Sequence, residues 1–93
     1  MIDLYIKTSD EINMDLAKRM VQLRKRKRMT QEELAVRSGV TIASLRRFER
    51  TGEVSLKSFT KLAIALGVEK ELDSLFTQVP YASIEEVIRG QNY

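Results

Sequence analysis

Cysteine and histidine are absent from all 93 positions of the chain. Disulfides, thiolate chemistry and the usual zinc sites go with them, and such a composition suits a reducing cytosol. No apolar run approaches the ~18 residues of a membrane span, and no secretory signal is expected ahead of the folded part. A glycine-rich phosphate loop is missing too. The acidic residues fall mostly on solvated helix faces with no converging pair, so neither catalysis nor a bound cofactor or metal is expected.

What is present is positive charge, gathered in one place. The net charge is only +3. Residues 1–23 sum to −1 (three basic, four acidic), residues 24–68 to +7 (eleven basic, four acidic) and residues 69–93 to −3 (two basic, five acidic). A solvated basic surface is the plain account of the central block. Attraction to phosphate is the other, and it gains weight when the block contains a helix fit to enter a groove. The length suits a single domain, and a chain this short buries only about 60–65% of its unfolded surface, so dimerisation would add stability.

The stretch from Thr30 to Gly52, TQEELAVRSGVTIASLRRFERTG, reads as two short helices joined by a tight turn. Thr30 with Glu33 makes a capping box that starts the first helix, and Leu34 and Ala35 supply its inward face. Gly39 accepts the positive φ of a helix C-cap and ends it. Val40 anchors the turn, and Thr41 caps a second helix from Ile42 to about Arg50. Leu45 and Phe48 point inward together there, which leaves Arg46, Arg47 and Arg50 facing out. That is a helix-turn-helix pattern with the second helix offered to a DNA major groove, about 12 Å wide and sized for one helix.

The spaced residues Gln31-Glu32-Glu33-Leu34-Ala35, Gly39-Val40-Thr41 and Ser44-Leu45-Arg46-Arg47-Phe48-Glu49 resemble the Xre/λ-repressor-like helix-turn-helix family. The likeness continues through Ser55-Leu56 to Ala65-Leu66-Gly67-Val68 and covers roughly residues 16 to 76. It implies an all-α, five-helix domain. There are two departures. Arg28 stands where the family usually has glycine, and Glu49-Arg50-Thr51-Gly52 carries one extra residue before the usual glycine.

The remaining segments fit around this centre. Ile2, Leu4 and Ile6 alternate as a strand does, so residues 1–8 form either a short strand that needs a partner, such as its copy in a second chain, or a frayed arm. Thr8 with Glu11 caps a first helix from near Ser9, with Ile12, Leu16, Met20 and Leu23 as the core-facing stripe. That helix runs into Arg24-Lys25-Arg26-Lys27-Arg28, more cations than its dipole requires. Ser55 caps a fourth helix with Leu56, Phe59, Leu62, Ala63 and Leu66 on its apolar face, closed by Gly67. A fifth, about Lys70 to Phe76, brings Leu72, Leu75 and Phe76 to the core, to a dimer interface, or to both. The tail, residues 77–93, contains Pro80, a capping box at Ser83 to Glu86 and the stripe Ile84, Val87 and Ile88. So short a helix needs a surface to dock on: this domain, a dimer mate or another protein. The DNA-binding body then spans residues 9–76.

The family resemblance also implies roles for single residues. It places base reading at Ile42, Ala43 and Arg47. The first two can contact thymine methyl groups, whereas Arg47 can be bidentate to guanine O6 and N7. Arg46, Arg50 and Gln31 are expected at phosphates, with Lys57 and Ser58 in the first turn of the fourth helix. Thr41 is either a cap alone or also a phosphate contact. Arg24 and Glu49 are the family positions that pair and tie the first helix to the third, against the alternative of an exposed arginine with no fixed partner. Xre-type domains commonly bind inverted repeats as homodimers, which implies a transcriptional repressor working on cytoplasmic, nucleoid-associated DNA. The run Arg46 to Leu56, the N-terminal strand and the short tail look like HipB-type antitoxins, which pair with a HipA-type kinase toxin and repress their own operon. The alternatives are a stand-alone Xre-type regulator and a dimeric interaction module that no longer binds DNA.

Overall fold

Four of the helices start at a hydroxyl side chain. A computed structural model describes residues 6–78, with α1 at Ser9–Arg26, α2 at Gln31–Ser38, α3 at Ile42–Thr51, α4 at Leu56–Ala65 and α5 at Glu69–Asp73. Thr8, Thr30, Thr41 and Ser55 each accept the backbone N–H three residues on, satisfying a donor the helix itself cannot pair. At Thr8 and Thr30 the reciprocal glutamate bond completes the capping box. Among the described residues there is no strand, so the fold is all-α, and no helix is long and apolar enough to cross a membrane.

The helices enclose one core. α1 packs on α3, α2 on α3 and α4, and α4 on α5. Phe48, Leu34, Leu45, Leu62 and Leu66 are the largest fully buried side chains, each worth roughly 1.5–3 kcal/mol of burial. The Phe48 and Phe59 rings meet edge to face at 5.7 Å and fasten α3 to α4.

Some expectations need correction. Ile12, assigned to the core stripe of α1, is exposed. α1 is about 27 Å long and α3 about 15 Å, so the first turn of α1 overhangs its partner. The line that does reach the core runs through Ala17, Met20 and Arg24. Leu56 is likewise exposed, because it sits roughly a fifth of a turn off the centre of the buried face of α4. α5 ends at Asp73 rather than near Phe76, which lies beyond the helix at φ +60° and is 88% exposed. Leu72 packs on the core and Leu75 does not. Arg28, where the family favours glycine, takes the glycine conformation at φ +56°. The strand reading of residues 2–6 and the tail stripe at 84–88 lie outside the described residues, apart from Ile6.

Candidate nucleic-acid interface

The outward face of α3 follows from how its inward face is held. Leu45 and Phe48 are each 1% exposed and fix the rotation of the helix about its axis. At 3.6 residues per turn, Ala43 and Arg50 then lie at the crest of the opposite face, with Arg46 and Arg47 on its two flanks. All four are exposed, and Ile42 beside them is half-buried. The cationic residues of this helix are therefore on the surface and not in the core.

Behind that face lies a buried ion pair. Arg24 Nε and Nη2 donate to the two Glu49 carboxylate oxygens at 2.8 and 3.1 Å, with the side chains only 11% and 10% exposed. Arg24 Nη1 also donates to the Met29 carbonyl at 3.0 Å, bracing the turn after α1. Gln31 extends the network to the surface. Its amide nitrogen donates to Glu49 at 2.7 Å, and its carbonyl oxygen accepts from Arg46 Nε at 3.3 Å. Among the described residues, no buried side-chain nitrogen or oxygen lacks a partner, as a charge held in low dielectric requires.

Both flanking arginines have carboxylate partners that the sequence reading did not foresee. Arg46 Nη2 donates to Glu32 at 3.0 Å across to α2. Arg47 Nη2 donates to Glu53 at 2.6 Å, just past the end of its own helix. Glu32 has its carboxyl below the usual range, first through its own backbone N–H in the first turn of α2 and then through Arg46. These partners left little signal in the sequence. Glu32 and Arg46 are fourteen residues apart, and the return of Glu53 depends on the turn at Thr51-Gly52. In that turn the Thr51 hydroxyl donates to the Arg47 carbonyl at 2.7 Å and accepts the Glu53 N–H at 3.1 Å.

The other expected contacts border the same surface. Thr41 caps α3 by accepting the Ser44 N–H at 3.1 Å and remains exposed. Lys57 is exposed and Ser58 half-buried in the first turn of α4, where the Ser58 N–H donates to the Ser55 hydroxyl. A cleft lined by Ser44, Arg47, Glu53, Val54, Ser55 and Ser58 separates that turn from α3. The first turn of α4 thus borders the arginine-rich ridge of α3.

Comparison with known proteins agrees with this geometry. Residues 20–72, more than half of the chain, match the family described as Helix-turn-helix. No curated protein and no solved structure matched the chain. The chain belongs to the Xre/λ-repressor-like helix-turn-helix family, a family of DNA-binding transcription regulators.

Proposed function

We propose that the chain is a sequence-specific repressor that binds an inverted-repeat operator as a homodimer, with residues 9–76 as the DNA-binding body, residues 1–8 as an arm and residues 77–93 as a tail. The observation that carries the reading is the exposed Ala43, Arg46, Arg47 and Arg50 face of α3, set on a fully packed inner face. In this reading Arg47 reads a guanine, while Ile42 and Ala43 contact thymine methyls. Arg46, Arg50, Gln31, Thr41, Lys57 and Ser58 fix the register through phosphates, with Gln31 acting largely through Arg46. One recognition helix covers only a few base pairs. Two-fold symmetry doubles the information, with half-sites one helical turn (~34 Å) apart.

Fluorescence anisotropy with a random duplex, and with a duplex selected by the protein from a randomised pool, tests the proposal. The selected duplex is expected to bind at least about a thousandfold more tightly. Arg47→Ala is expected to cost about 1–3 kcal/mol on the selected duplex and to relax preference at one base pair. Lys57→Ala should weaken both duplexes alike and flatten the salt slope by about one. An Arg47→Ala protein that kept the wild-type ratio would remove Arg47 from base reading.

A narrower role, as antitoxin and autorepressor beside a HipA-type kinase toxin, is supported by an apolar surface among the described residues, on the side away from α3's arginines. Leu16, Phe59, Leu72 and Leu75 line a groove there, a surface of the kind a protein partner covers. The test is the neighbouring reading frame. Its product should be kinase-like, should bind this chain and should tighten its grip on the operator. A neighbour of another kind leaves the stand-alone repressor.

A further inference from the structure

We infer that Glu53 is a specificity-determining residue that acts through Arg47, holding the guanidinium in a reading position while its own charge opposes indiscriminate phosphate binding. The inference rests on the DNA-reading role proposed for Arg47. A turn sets the backbone of Glu53 beside Arg47. Gly52 at φ +80° reverses the chain after α3, and the Thr51 hydroxyl clamps the Glu53 N–H while donating to the Arg47 carbonyl. The carboxylate is thereby delivered to the side chain of the residue whose carbonyl holds the clamp, at 2.6 Å.

The geometry leaves Arg47 able to read. Glu53 engages Nη2, and a guanidinium carries five N–H donors in a rigid fork. Among the described residues nothing else engages the guanidinium, and the remaining donors can meet a guanine edge while the carboxylate stays in place. A long side chain partly ordered by such a pair loses less freedom on binding, an advantage of up to about fivefold. Arg47 and Glu53 are 64% and 62% exposed, so the pair adds little to folding stability and its removal should leave the fold intact. The same carboxylate lies beside the groove-facing helix, where a negative charge repels every duplex regardless of sequence.

The two effects act in opposite directions on the two kinds of DNA, and that makes the inference testable. Glu53→Gln in the full chain should bind a random duplex more tightly, with a salt slope steeper by about one. It should bind the selected duplex no better than the wild type, so the ratio between them falls about five- to tenfold, with the lost preference confined to the base pair that Arg47 reads. Glu69→Gln, the same charge change on α5, should raise both affinities alike. A wild-type ratio in Glu53→Gln at an unchanged urea midpoint, or a fall in ratio matched by Glu69→Gln, overturns the inference. A wild-type protein that shows no preference between the duplexes overturns the DNA-reading role as well.

Discussion

Gly39 and Gly52 are both helix C-caps at nearly the same dihedral, φ +75° and +80°, yet their surroundings differ. A Cβ on Gly39 would meet nothing within 4 Å, whereas one on Gly52 would lie 2.9 Å from the Asn13 carbonyl carbon and 3.0 Å from the Met14 nitrogen. Gly39→Ala should therefore cost only the left-handed backbone term, about 1–2 kcal/mol. Gly52→Ala adds a collision between the end of α3 and the backbone of α1 and should cost about 2–4 kcal/mol. Urea denaturation of the two variants checks the difference, which vanishes if backbone conformation alone matters. Both stops are marked in the sequence by glycine itself. The close approach of α1 to Gly52 is not, because it depends on the angle at which two helices cross.

At the level of elements, α1 and α3 are tied by the Arg24–Glu49 pair. Replacing Glu49 by alanine strands a buried guanidinium and removes the acceptor of Gln31 Nε2. The expected loss is about 3–5 kcal/mol, a large share of the 5–15 kcal/mol typical of a whole domain, so the melting temperature of the variant should fall by roughly 12–40 °C by circular dichroism. α1 and α2 contribute a pH dependence. A carboxyl with a lowered folded pKa stabilises above its unfolded pKa, and the contribution disappears as pH falls through the folded value. Glu32 is such a group, and so is Asp15, held low first by its hydrogen bond from Lys7. The melting temperature should hold from pH 7 to about 5 and drop below about pH 4. Glu32→Gln should drop less steeply, and an identical profile would deny Glu32 a part. The helix starts were legible because hydroxyl caps are local chemistry, and the inner faces of α2 and α3 because few residues compete for them. Ile12 was misjudged because periodicity gives the direction of a stripe but not where the neighbouring helix stops, and Leu56 because it stands at the margin of its stripe. Glu32 and Glu53 escaped notice because charge partners far apart in sequence, or across a turn, leave no period.

For the whole molecule, the +7 of residues 24–68 against weakly acidic flanks orients the approach to DNA before any base is read. If two copies read an inverted repeat together, their arginine ridges must lie on one side of the duplex. Inserting five base pairs between the half-sites turns one of them to the far side, and ten restore it. Binding to the selected duplex should fall by at least about tenfold with the first insertion and recover in part with the second. Equal affinity for all three spacings would point to independent monomers.

The unequal anchoring of the two flanks of α3 bears on how such a chain changes its target over generations. Arg46 leans on Gln31, which leans on the same glutamate that holds α1 in place, so an altered Gln31 disturbs the buried pair and the Arg46 side chain together. Among the described residues, the Arg47 guanidinium answers to one acid on a surface turn. If Arg47 reads a base as proposed, drift toward a new operator is cheapest through the Arg47 and Glu53 couple, while the Gln31 side stays conservative, and descendants of one ancestor should differ first at those two places.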